Sequence, residues 1–148
     1  MRIERSGSIA VSPSRIWTAF SDWKGHADWQ PSLVEVDAPD QLGRGTQLVE
    51  VRASHGQRLT FEVVIREWEE GRRIRASGKS RGVVSVSADL LYEVAPQGGG
   101  SQVTLAVEAE IPLILLPLRH AVQIEVEKEL DQMLARLGAA YVGSAQAS

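Results

Sequence analysis

The sequence predicts an α+β protein: a curved antiparallel sheet of about seven strands wrapped around a long C-terminal α-helix, with two short helices after the first strand. Two observations set the elements. Between Thr46 and Ile111, runs of alternating apolar and polar residues are separated by four glycine-containing turns, which is the period of half-buried strands. From Leu118 to Tyr141 the apolar residues return at three- and four-residue steps, the period of a helix packed on one side. A third observation sets the shape. Seven strands make a sheet roughly 30 Å wide, and one helix covers only about 10 Å of it. The sheet must curl around the helix to keep its apolar face dry.

The elements follow in order. Ile3 to Val11 alternates, with Ile3, Gly7, Ile9 and Val11 on one face, and reads as a strand. Ser12-Pro13 is a helix start, serine as N-cap and proline at the first helical position, so Pro13 to Phe20 forms a short amphipathic helix. Ser21-Asp22 starts a second, Trp23 to Trp29, which stops before Gln30-Pro31. Leu33 to Val36 is a short strand, and Asp37 to Gly45 is a loop. Thr46 to Ala53 is a strand with Val49, Val51 and Ala53 facing inward, which leaves Glu50 and Arg52 facing solvent unless a bulge reverses them. The inward faces of the next strands are Leu59, Phe61, Val63 and Ile65; then Ile74, Ala76 and Gly78; then Val84 to Val94 at every second residue; then Val103 to Ile111 likewise. Short turns between consecutive strands imply antiparallel pairing. The last helix begins at Pro117 and carries Leu118, Val122, Val126, Leu130, Met133, Leu134, Leu137 and Tyr141 toward the sheet.

Composition bounds the rest. The chain has 148 residues, enough for one domain (residues 1–148, core 3–141, a flexible tail at 143–148). It has no cysteine, which excludes a disulfide framework, a thiolate metal site and a cysteine nucleophile. Sixteen Lys and Arg against 19 Asp and Glu give a net charge of −3, a poor balance for a nucleic-acid binder. The opening residues contain no apolar signal-like stretch, and the longest apolar run, Ile111 to Leu118, is too short to span a bilayer. A cytoplasmic location and no stable membrane insertion are the expectation. Of the eight aromatic residues, Trp17, Phe20, Trp23 and Trp29 fall in the two short helices. The inner sheet face is mostly aliphatic and contains small residues, so an aromatic lid over a hollow, apolar interior is expected.

The chain resembles the helix-grip proteins of the START/Bet v 1-like (SRPBCC) superfamily, and within it the polyketide cyclase/dehydrase and lipid-transport group. The resemblance rests on Ile9 to Trp17, Ser21-Asp22-Trp23 and Trp29-Gln30-Pro31. It continues through Gly45, Val64 to Trp68, Arg72-Arg73-Ile74 and Gly100 to Thr104, and covers roughly Ile3 to Tyr141. It implies the helix-grip fold; members include lipid carriers, hormone receptors and aromatase/cyclases, so fold alone does not assign chemistry.

The cavity walls expected from the alternation are Trp29, Phe61, Val63, Ile65, Ala76, Val86, Ala88, Leu90, Tyr92, Leu105, Val107, Leu118, Val122 and Val126. Three ionisable groups are candidates for proton transfer inside it. Glu67 shares the parity of Phe61 to Ile65, Tyr92 shares the inner face of its strand, and His120 stands in the first turn of the long helix. No His pair has zinc-site spacing, and His26 with Asp28 makes no metal motif. No phosphate loop, dinucleotide fingerprint or nucleophile elbow is present. No metal and no cofactor are therefore expected. The expected function is binding or transport of a small hydrophobic ligand, lipid- or polyketide-like. The alternatives are an aromatase/cyclase-like enzyme, implied by the resemblance, and a protein-interaction module or homodimer using the apolar segment 111–118.

Overall fold

The computed structural model describes residues 1–82 and 84–147, with side chains through residue 139. The strands are β1 (Arg2–Ile9), β2 (Leu33–Asp37), β3 (Gln47–Ser54), β4 (Gln57–Glu69), β5 (Arg73–Ser80), β6 (Ser87–Gln97) and β7 (Gly100–Glu110). They form one curved antiparallel sheet in the order β1-β7-β6-β5-β4-β3-β2. Helix α1 (Pro13–Ser21) and a 3-10 turn (Trp23–Asp28) follow β1; a second 3-10 turn (Leu113–Leu118) leads into α2 (Arg119–Ala147). This is the predicted helix-grip architecture.

Register orients the molecule. Arg2 pairs with Glu108, Ser54 with Gln57, and Ser87 with both Lys79 and Glu110, so the β3–β4 and β5–β6 turns and the end of β7 share one end of the sheet. The other end holds Ile9 opposite Ser101, the β4–β5 turn and the start of α1. The β3–β4 turn needs left-handed backbone at both central residues, and His55 (φ 50) and Gly56 (φ 75) supply it.

The far end is closed. Ile65, Ile74, Val103 and Leu105 have no exposed surface, and Val63, Ala76, Tyr92 and Val94 keep no more than 2%. Ile16, Trp17, Ala19 and Phe20 of α1 cover them, with Trp23 and Trp29. Each such fully buried large side chain contributes about 1.5–3 kcal/mol. Helix α2 joins this core through Leu130, Met133 and Leu137. It packs on β1 at Gly7 and Gly138, where a Cβ would make only ordinary contact, 3.8 Å from Leu134 and 3.7 Å from Ile9. Gly100 is required outright, since a Cβ there would lie 2.3 Å from the Ile9 carbonyl oxygen.

Several expectations are corrected. On β3 the inward residues are Leu48, Glu50 and Arg52, opposite Val63, Phe61 and Leu59 of β4; Val49 and Val51 take the outer face, with no bulge in β3 to account for it. On β4 a bulge between Ile65 and Glu67 reverses the parity, so Glu67 pairs with Arg75 on the outer face. Strand β6 begins at Ser87, and Val84 is exposed in the preceding loop. Pro117 lies inside the 3-10 turn, and α2 starts two residues later, at Arg119. The backbone of α2 is helical to Ala147; the side chain of Tyr141 and residue Ser148 lie outside the described residues. Ser12 flanks α1 as expected, but its carbonyl, not its hydroxyl, accepts the first amides.

Candidate functional site

The inner face changes character toward the open end. Leu59, Phe61, Val86, Ala88, Leu90 and Val107 lie on the inner face or its margin, yet all are only half-buried. Val122 and Val126 of α2 are half-buried as well, and Leu118 is exposed. These half-buried apolar residues of β4 to β7 and of the first turns of α2 lie toward the same end of the sheet, and Phe61, Leu90, Val107 and Val126 pack against the edge of the core. The expected cavity walls therefore divide in two. Phe61, Val86, Ala88, Leu90, Val107, Val122 and Val126 retain surface. Trp29, Val63, Ile65, Ala76, Tyr92 and Leu105 are packed core, and side chains so nearly sealed face no space that would admit even water. The hollow interior expected beneath the aromatic lid is filled.

What fills it is an aromatic plug around a buried histidine. The His26 ring lies 4.5 Å from Trp23, 5.0 Å from Trp29 and 5.5 Å from Tyr92, centroid to centroid. Its Nε2 donates to the Phe20 carbonyl at 2.7 Å, and its Nδ1 accepts from Gln30 Nε2 at 3.2 Å. Both nitrogens are thus engaged, and neither is available to a metal. Burial outweighs the Phe20 hydrogen bond and lowers its pKa to about 4, so His26 is neutral at pH 7.

Gln30 links this plug to a buried ion pair. Its Nε2 also donates to the Tyr92 hydroxyl at 3.2 Å, and its Oε1 accepts from Arg52 Nη2 at 2.7 Å. Arg52 binds Glu50 through Nε at 3.1 Å and Nη2 at 3.0 Å. The other Glu50 oxygen accepts from Trp23 Nε1 at 2.8 Å, so a carboxylate only 1% exposed has both oxygens satisfied. Burial, then the Glu50 charge, raises the Tyr92 pKa, so its hydroxyl stays protonated. Arg52 reaches outward too: Nη1 donates to Ser32 Oγ at 3.0 Å and lies 3.8 Å from Glu129 of α2.

A polar seam continues from there along α2. Glu129 accepts from the Ser32 amide at 3.0 Å and from the Ser32 hydroxyl. One turn earlier, Glu125 accepts from Ser54 Oγ at 2.9 Å and lies 2.8 Å from His55 Nε2. Glu125 and Glu129 therefore fasten α2 to the Ser32 and Ser54 edge, while β1 holds it by apolar packing and by Arg5, 3.5 Å from Glu127 and 3.0 Å from Asp131.

The proton-transfer candidates do not meet. Tyr92 is enclosed in the plug. Glu67 is on the outer face, 3.4 Å from Arg73 and 3.0 Å from Arg75. His120 is exposed at the start of α2. Sequence reasoning missed Gln30, Ser32, Glu125 and Glu129, and gave Glu50 and Arg52 the wrong face. Two signals were available: opposite charges two residues apart on one strand face, and two glutamates four apart on one side of a helix. Two surface depressions lie elsewhere. One of about 180 Å³ sits on the outer face over Leu91 and Ala106, the other of about 200 Å³ beside Trp23 and Pro39. Neither is bordered by α2.

A curved sheet gripping a C-terminal helix defines the helix-grip fold. More specifically, the chain belongs to the polyketide cyclase / dehydrase and lipid transport family, whose model matches residues 1–141. It is 28% identical over 147 residues to the uncharacterized protein Rv1546 of Mycobacterium tuberculosis, covering 92% of this chain and 98% of that one. Its fold is similar to that of a START superfamily protein from Mycobacterium smegmatis (TM-score 0.74, 15% identity, 96% of this chain and 97% of that one). It is also similar to the di-domain ARO/CYC StfQ of the steffimycin biosynthetic pathway (TM-score 0.81, 12% identity), covering 98% of this chain and 51% of StfQ.

Proposed function

We propose that the protein binds a small hydrophobic ligand, lipid- or polyketide-like, in a groove between α2 and the sheet. One observation carries this reading: Phe61, Leu90 and Val107 sit on the inner sheet face and remain half-exposed, while their neighbours on the same strands are sealed. Leaving apolar surface wet on a concave face costs stability, and a ligand recovers it. The groove's one charged wall, Arg52 with Ser54 and Glu129, suits a single hydroxyl or carbonyl on an otherwise apolar molecule. The family's description and the START-like neighbour support the ligand class.

Native mass spectrometry of the purified protein, followed by thermal shift with oleate and with a hydroxylated polycyclic aromatic, tests the reading. A co-purified apolar molecule, or a rise in melting temperature with either probe, is expected. Ala88→Trp, which fills the groove from β6, should abolish that rise while leaving the circular dichroism unchanged. No co-purified molecule and no shift with either probe would contradict the reading.

A further inference from the structure

We infer that the open end of the sheet is a docking surface for an anionic lipid bilayer. The 3-10 turn before α2 exposes side chains that a folded protein ordinarily hides: Leu113 is 83% exposed, Ile114 73%, Leu118 55% and Leu116 45%. None of that turn's six residues is buried, so it contributes little to the core. Pro112 precedes it and Pro117 lies within it, which stiffens the tip against collapsing onto the protein. Register places the β5–β6 loop, with Val84 39% exposed, at the same end. The apolar tips thus gather at one end of the sheet rather than scattering over the surface.

Charge selects the occupant. Although the chain's net charge is −3, the exposed side chains at this end include Arg58, Lys79 and Arg119. None of the three makes an ion pair among the described residues, and Arg81 beside them is bridged to Glu62 at 3.3 Å. The exposed carboxylates near them are Glu62, bridged to Arg81, Glu108, 3.7 Å from Arg2, Asp89, which accepts from the Ser77 hydroxyl, and Glu110, which makes no ion pair among the described residues. Apolar tips ringed by cations complement anionic headgroups over an acyl layer. A second copy of the chain suits the surface less well, because a two-fold interface would set a patch carrying Arg58, Lys79 and Arg119 against the same patch. The groove opens at the same end, so a docked molecule would present its mouth to the bilayer. Docking itself does not depend on the groove being occupied.

Flotation with vesicles of phosphatidylcholine, and of phosphatidylcholine containing phosphatidylglycerol, reads this directly. The protein should float with the anionic vesicles, less so with the neutral ones, and less again at high salt. Arg119→Gln should weaken partition to the anionic vesicles about fivefold. The double variant Leu113→Asp, Ile114→Asp should weaken it by about tenfold or more. Both variants should melt like the parent, since the changed side chains are exposed. Failure to float with either vesicle overturns the inference, as does flotation that the two aspartates leave unchanged. So does a dimer that the aspartates dissolve without any vesicle binding. A protein that takes up oleate without floating loses only the docking surface; one that floats without taking up oleate loses only the groove.

Discussion

At one end of the sheet Ile65, Ile74, Val103 and Leu105 lose all contact with solvent beneath α1, Trp23 and Trp29; at the other, Phe61, Leu90 and Val107 keep part of theirs. The strands and the face are the same. The difference lies in what covers them. The closed end is roofed by a helix and a turn that supply aromatic side chains, and among the described residues every buried side-chain nitrogen and oxygen has a hydrogen-bond partner. The open end is roofed only by the first turns of α2, held at the rim by Glu125 and Glu129. One end is sealed, and the other keeps apolar surface where the proposed ligand would bind. That division predicts different penalties for damage at each end.

The largest penalty should come from Glu50, at the boundary between the plug and the seam. Glu50→Ala leaves the Arg52 charge without its buried partner and should cost about 3–5 kcal/mol in urea denaturation. Replacing both, Glu50→Leu with Arg52→Met, should recover most of that loss. A double variant as unstable as the single one would show that the pair is not the cause.

Next comes a pH effect confined to the closed end. His26 titrates near 6.5 in the unfolded chain and near 4 in the fold. Between these values the unfolded chain binds the extra proton, so stability is full above pH 6.5 and falls as the pH drops toward 4. The slope reaches at most about 1.4 kcal/mol per pH unit. His26→Gln should remove this slope when melting curves are compared across the window, after subtraction of the carboxylate contribution common to both proteins. An unchanged slope would mean that His26 is not held neutral.

The smallest stability effect should be at the open end. Phe61→Ala removes a half-buried ring and should cost only about 1 kcal/mol, well below the roughly 3–5 kcal/mol of a sealed phenylalanine such as Phe20. Oleate binding should nonetheless weaken, as calorimetry would show. A loss as large as that of Phe20→Ala would erase the contrast between the two ends.

The sequence made the architecture legible wherever alternation was unbroken. The inner faces of β5, of β7 and of β6 from Ala88 on were read correctly, because apolar residues occupy nearly every inward position there and only Ser80 and Ser101, at strand ends, interrupt them. It misled where chemistry interrupts the pattern. On β3 the inward positions hold Glu50 and Arg52, and the outward ones hold Val49 and Val51, so hydrophobicity alone selects the wrong face. On β4 one extra residue at the bulge carries Glu67 outward. The site depends on pairings remote in sequence, Gln30 with Tyr92 and Ser54 with Glu125, which no local pattern encodes. The aromatic skew toward the short helices was a sound signal of a lid, but the lid descends into the space it was expected to leave open.

Ligand entering at the open end should leave the plug undisturbed, and methyl nuclear magnetic resonance during titration with oleate reads both regions at once. Shifts are expected for the methyls of Leu90, Val107, Val122 and Val126, with Ile65, Ile74, Val94, Val103 and Leu105 unmoved. Shifts concentrated in the second group, shifts spread evenly over both, or no shift in either would contradict that expectation.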